Sequence, residues 1–184
     1  MNLPNKITLS RILLIPVFLL VFFLEPFIDI VNTWLALCLF VLAASTDALD
    51  GYLARKLKMV SNFGKLIDPL ADKLLVCSVL IAFTANGLVP AWAVILIVSR
   101  EFYISGFRQL ALEQGLVLAA TGLAKLKTIF QITLIVYILL PFPFSLLVFA
   151  PVTWALVIAT VVFTLWSGLD YTVKNLHVFR NKGN

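Results

Sequence analysis

Asp47, Asp50, Asp68 and Asp72 are four of the nine acidic residues in the chain, and they fall as two pairs with intervals of three and four residues. On a helix either interval puts both side chains on one face. A short basic segment around Arg55, Lys56, Lys58 and Lys65 separates the pairs. The two helices that carry them therefore run antiparallel, and the pairs can face each other. Carboxylates held that close repel unless cations sit between them. Oxygen-only ligands suit hard divalent ions such as Mg²⁺ or Mn²⁺. Two such ions would offset the four formal charges and leave positions open for phosphate oxygens. Gly51 and Ala54 follow Asp50, and Gly64 precedes Asp68 by one turn. Small side chains there let a bulky flat ligand approach the backbone or let helices pack closely. Arg55 adds a planar donor suited to phosphate.

A second group of candidates is basic. Arg100 lies ten residues after Pro90 and is followed by Glu101, and Arg108 is eight residues further on. That interval is roughly 80° around a helix, so Arg100 and Arg108 favour overlapping faces. Lys125 and Lys127 open the next apolar stretch. Such a cluster fits an acceptor that carries its own phosphate. The competing reading is that these residues are anchors contacting lipid headgroups, and it is stronger for Lys125 and Lys127 than for Arg100.

The elements that position these residues follow from composition. Of 184 residues, 62% are hydrophobic and 12% charged, and the mean hydropathy is +1.06. This excludes a disordered chain, a disulfide scaffold and an ordinary soluble enzyme. An all-α, polytopic membrane protein of one domain, residues 1–184, is expected. Transmembrane helices need roughly 20 residues each. Apolar stretches predict six: Ile7–Leu24, Val31–Leu53, Leu66–Leu88, Pro90–Leu112, Lys127–Leu140 and Leu146–Leu169, with a kink at Pro16. Glu25-Pro26, Lys56–Asn62, Asn86-Gly87, Gln114-Gly115 and Pro141-Phe142-Pro143 separate them. The first stretch imitates a signal peptide but ends without a small-residue cleavage site, so it reads as a retained span.

With six spans, all fourteen Lys and Arg residues fall on one side of the membrane or on helix ends facing it. The positive-inside rule then puts both termini and the two long loops in the cytoplasm. The net charge of +5 reflects this topology and attraction to anionic membrane lipid, with no nucleic acid required. Counted from Trp34, Asp47 lies roughly 20 Å into a core of about 30 Å. Read back from Leu88, Asp72 lies roughly 24 Å from the outer face. Intramembrane carboxylates at that depth mark function. Cys38 and Cys77 sit in apolar runs and read as packing residues. His177, Asp170 and Glu113 read as groups at the cytoplasmic surface, and Trp34 and Trp92 as markers of the outer interface.

The run Asp47-Ala-Leu-Asp50-Gly51-Tyr-Leu-Ala54-Arg55, then Gly64, Asp68 and Asp72, resembles the full signature of the CDP-alcohol phosphotransferases, with all eight fixed positions at the family spacing. The resemblance implies a six-helix membrane enzyme, usually a homodimer, that uses divalent metal. Such enzymes move a phospho-alcohol group from a CDP-linked donor to an alcohol and release CMP. It also implies that Asp47, Asp50 and Asp68 hold metal, and that Asp72 is a metal ligand or the base that deprotonates the acceptor. Gly51, Ala54, Arg55 and Gly64 would line the CDP pocket.

Three further stretches resemble the branch of the family that takes CDP-diacylglycerol as donor and sn-glycerol 3-phosphate as acceptor. They are Asn2–Arg11 with Pro16, Ser99–Arg108, and Ala124–Thr128 with Gln131. Ala124 departs from the glycine common at its position. The resemblance implies that Arg100, Arg108, Lys125 and Lys127 bind the glycerol phosphate. Related acceptors such as serine, inositol phosphate or phosphatidylglycerol are the alternative within the family. A cation transporter is the alternative outside it, but the outer half of the spans lacks the polar path that transport needs.

Overall fold

The computed structural model describes residues 3–24, 30–57, 62–116, 118, 122–140 and 146–176, with side chains over 9–23, 31–46, 71, 73–116, 118, 122–140 and 150–176. Six helices account for nearly all of them: α1 (Leu3–Leu24), α2 (Ile30–Leu57), α3 (Asn62–Ala85), α4 (Ala91–Glu113), α5 (Gly122–Leu139) and α6 (Leu146–Lys174). The all-α expectation holds. The boundaries differ where charge interrupts an apolar run without interrupting the helix. α2 continues past Leu53 to Leu57, α3 begins at Asn62 rather than Leu66, and α5 begins at Gly122, before both of its lysines. Helix hydrogen bonding tolerates charged side chains that a search for apolar stretches treats as an edge.

Two of the expected breaks are tight helix stops. After α3, Leu88 N–H bonds Phe83 O at 2.9 Å while Gly87 takes φ +70°. After α4, Leu116 N–H bonds Ala111 O at 2.9 Å with Gly115 at φ +73°. Each is a left-handed glycine closing the last turn, a conformation in which a side chain would be strained.

The helices fall into two compact units, residues 1–88 with 139–143 and residues 89–138 with 144–184. In the first, α1 packs against both α2 and α3, which touch each other much less. Phe18 and Phe22 of α1, Ala36 and Phe40 of α2, and Val79, Leu80 and Phe83 of α3 are buried. Burying each large side chain contributes about 1.5–3 kcal/mol. Contacts set the directions. Arg11, early in α1, meets Thr46, late in α2. Phe22, late in α1, meets Phe83, late in α3. α3 therefore runs parallel to α1, and α2 runs antiparallel to both.

In the second unit α4 packs along α6, with Ile104, Phe107, Ala111 and Tyr171 forming a buried cluster. The Phe130 and Phe163 rings stack at 4.6 Å between α5 and α6. Thr160, Thr164 and Ser167 make a buried hydroxyl stripe on α6. Two of these hydroxyls donate back to carbonyls of their own helix, Thr160 to Leu156 O at 2.7 Å and Ser167 to Thr164 O at 3.0 Å. This satisfies polar groups that burial would otherwise penalise.

Among the described residues, two helical stretches are long and apolar enough to cross a membrane, Gly122–Leu139 and Ala150–Lys174. Leu9–Phe23, Val31–Thr46 and Lys73–Ala85 are shorter apolar segments. Many large apolar side chains are exposed on helix surfaces, among them Leu13, Leu20, Ile95, Ile129 and Leu169. The termini that the sequence assigns to the cytoplasm, and His177, lie outside the described residues.

Candidate active site

The acid-bearing segments occupy one end of the first unit. Asp47, Asp50, Gly51, Ala54 and Arg55 all lie on the unbroken helix α2, and Gly64, Asp68 and Asp72 on the unbroken helix α3. Their side chains are outside the described residues. The backbone nevertheless fixes their level. Asp72 precedes Phe83 by the same eleven residues by which Arg11 precedes Phe22. At 1.5 Å per residue both stand about 16 Å back from that ring contact. Thr46, next to Asp47, touches Arg11 directly. The two halves of the acidic motif thus share a level with Arg11, as antiparallel α2 and α3 require.

Arg11 is the signal that sequence reading left without a role. It is 1% exposed, and its Nε donates to Thr46 Oγ1 at 3.5 Å. The Thr46 hydroxyl in turn donates to Ala43 O at 2.6 Å, so its lone pairs are turned toward the guanidinium. A buried arginine is costly unless it is paired, and a charged residue near the start of an apolar helix is the cue that could have found it.

The basic candidates belong to the second unit, and the structure sorts them. Glu101, 7% exposed, accepts from both Arg100 and Lys127 through Oε1, with Arg100 Nη1 at 3.2 Å. Lys127, 6% exposed, reaches it from α5. Arg100 Nη2 also donates to Ser167 Oγ of α6 at 3.0 Å, while its Nε has no hydrogen-bond partner. One turn of α6 further on, Tyr171 holds Arg108. The Nε of Arg108 donates to the phenol oxygen at 3.2 Å, and its guanidinium lies 5.4 Å from the ring centroid. Lys125 is exposed; two residues before Lys127, it points roughly 200° away around α5.

Glu101, Ser167 and Tyr171 were not singled out as partners by the sequence. Gln131 is buried one turn after Lys127, on the same face of α5, and its amide nitrogen lacks a partner. Gly168 lies against Arg100: a β-carbon there would stand 3.2 Å from Arg100 Cγ. Asp170 pairs with Lys174 at 2.7 Å, four residues along α6. Cys38 is exposed and Cys77 buried, and neither is in a disulfide. Among the described residues no cluster of three or more His, Cys, Asp or Glu side chains forms a metal site.

Residues 1–166 match the pattern of the CDP-alcohol phosphatidyltransferases. The chain belongs to this family. It is 47% identical over 186 aligned residues to the CDP-diacylglycerol–glycerol-3-phosphate 3-phosphatidyltransferase of Bacillus subtilis (strain 168), with 95% of each chain covered. It is 43% identical over 130 residues to the enzyme of the same name from Rickettsia typhi (strain ATCC VR-144 / Wilmington), covering 71% of each. Over 175 residues it is 37% identical to a probable phosphatidylglycerophosphate synthase of Mycobacterium tuberculosis (strain CDC 1551 / Oshkosh), covering 95% of this chain and 82% of that protein. The matched region of this CDP-alcohol phosphatidyltransferase takes in the acidic motif of α2 and α3 and every basic candidate of α4 and α5.

Proposed function

We propose that the protein transfers the phosphatidyl group of CDP-diacylglycerol to sn-glycerol 3-phosphate, giving phosphatidylglycerophosphate and CMP. The observation that carries this reading is near full-length similarity, at 47% identity, to an enzyme of that activity. The hydroxyl oxygen of the acceptor forms a bond to the lipid-side phosphorus. The bond from that phosphorus to the bridging oxygen breaks, CMP leaves with the electron pair, and the acceptor proton goes to the Asp72 carboxylate. A carboxylate at hydrogen-bonding distance suits that role.

Asp47, Asp50, Asp68 and Asp72 are the residues that would hold two divalent ions, Mg²⁺ or Mn²⁺. An all-carboxylate donor set on two unbroken antiparallel helices fits hard ions. When bound they neutralise charge on the pyrophosphate and on departing CMP. Gly51, Ala54 and Gly64 leave room for the CDP moiety, and Arg55 donates to its phosphates. Arg100, Arg108 and Lys127 bind the phosphate of the acceptor, with Lys125 at its edge. Residues 1–184 act as one catalytic domain. All six helices cross the membrane, both termini are cytoplasmic, the site opens to the cytoplasmic side, and the active form is a homodimer.

A panel of acceptors tests this reading. Purified protein in detergent is given labelled CDP-diacylglycerol and, separately, glycerol 3-phosphate, serine, inositol phosphate and phosphatidylglycerol. Labelled lipid phosphate should form with glycerol 3-phosphate, should cease with excess chelator, and should return with Mg²⁺ or Mn²⁺. Labelling with a different acceptor alone would reassign the substrate, and full turnover in chelator would remove the metal role.

A further inference from the structure

We infer that Glu101 is the positioning residue of the acceptor site: one buried carboxylate holds Arg100 of α4 and Lys127 of α5 in the orientation that receives a phosphate. The inference rests on the functional reading above and names how its acceptor is recognised. Arg100 Nη1 lies 3.2 Å from Glu101 Oε1, and Lys127 Nζ bonds the same oxygen. All three side chains are at least nine-tenths buried. Two cations converging on one oxygen repel each other, and burial sharpens the repulsion because the surroundings screen poorly. Without the carboxylate, each long flexible chain gains by swinging away from the other and toward water.

The arrangement also leaves donors to spare. A carboxylate accepts through two oxygens, but the two contacts fall on Oε1. Arg100 spends Nη1 on Glu101 and Nη2 on Ser167. The Nε of Arg100 has no hydrogen-bond partner. Arg100 and Lys127 against one carboxylate leave a formal +1, and Arg108, about two turns along α4 and held by Tyr171, adds a second positive charge, which complements a phosphate monoester carrying about −1.5 to −2 near pH 7. Glu101 therefore orients the cations without cancelling them. The adjacent sequence Arg100-Glu101 does not reveal this, since a salt bridge between neighbours on a helix says nothing of a third partner from α5.

Steady-state kinetics of Glu101→Gln and Glu101→Asp, with each substrate varied at saturation of the other, test the role. Michaelis constants do not depend on how much of a preparation is folded, so they separate positioning from mere stability. Glu101→Gln keeps the shape and loses the charge; it should raise KM for glycerol 3-phosphate by about tenfold while KM for CDP-diacylglycerol stays within about twofold. Glu101→Asp keeps the charge on a shorter arm and should restore part of the loss, leaving KM for the acceptor about threefold high. If Glu101→Gln does not fold, the Asp variant alone carries the same selective comparison. An unchanged or lowered acceptor KM, equal changes for both substrates, or a fall in maximal rate alone would overturn the role. Failure of the wild type to use glycerol 3-phosphate would instead remove the acceptor assignment, and the Glu101 variants would then be read with whichever phosphorylated acceptor the panel identifies.

Discussion

Arg11 in the first unit and Arg100 in the second are held by the same local device. In each case a hydroxyl donates to the carbonyl three residues earlier on its own helix, Thr46 to Ala43 and Ser167 to Thr164, and so offers its lone pairs to the guanidinium. The settings have opposite sign. Arg11 is a buried cation level with two acidic helix segments, whereas Arg100 stands with Lys127 around a buried anion, Glu101. A site for a charged ligand needs an excess of one sign, and a minority counter-charge keeps the majority side chains in place. In the second unit that minority residue is Glu101.

The contrast breaks most visibly at the acidic side. Asp72→Asn removes the proton acceptor and one metal oxygen while nearly preserving volume. It should lower kcat by roughly 10²- to 10⁴-fold, the usual range for loss of a general base. Product formation by radiolabel transfer measures it directly. Wild-type turnover in the variant would take Asp72 out of the chemistry.

A smaller effect is expected on the basic side, where binding is shared among several cations. Arg108→Ala removes a guanidinium that rests on Tyr171 and leaves the Glu101 triad intact. KM for glycerol 3-phosphate should rise about tenfold, as expected for one charged hydrogen bond, with KM for CDP-diacylglycerol nearly unchanged. Parallel changes for the two substrates would remove Arg108 from the acceptor site and confine that site to the triad.

The two regions also differ in how far they were legible before any coordinates. What the sequence sets for the acidic motif is local: intervals of three and four residues fix a shared face on any helix, and α2 and α3 are unbroken across it. The basic site was readable only in its cations. Arg100, Arg108 and Lys127 announce themselves in apolar helices, but the groups that hold them are an adjacent carboxylate, a serine and a tyrosine. Such residues are unremarked until the register of α4 on α6 and of α5 against α4 is known. Helix geometry alone separates two of the cations: Lys125 and Lys127, two positions apart, cannot share a helix face, and of the two Lys127 is buried and Lys125 exposed. The start of α5 was missed for a related reason. Its first turns carry lysines, and a search for apolar runs stops at charge while a helix does not.

Gly168 offers the finest probe of the second region. On α6 it follows Ser167, the residue that accepts from Arg100, and a β-carbon added there would meet Arg100 Cγ at 3.2 Å and Nε at 3.6 Å. The first distance is tighter than a relaxed carbon contact, so the arginine stem must yield by a few tenths of an ångström. Two opposing effects follow from Gly168→Ala. Alanine within a helix is favoured over glycine by about 1 kcal/mol, which raises stability. The displaced stem stretches the bonds from Arg100 to Ser167 and Glu101, which weakens acceptor binding. The expected result is an unchanged or higher thermal midpoint together with an increase of about twofold in KM for glycerol 3-phosphate, a small share of a charged hydrogen bond. A gain in stability with no change in KM would mean that the stem relaxes without moving its guanidinium, and that Glu101 and Ser167 alone set the geometry of Arg100.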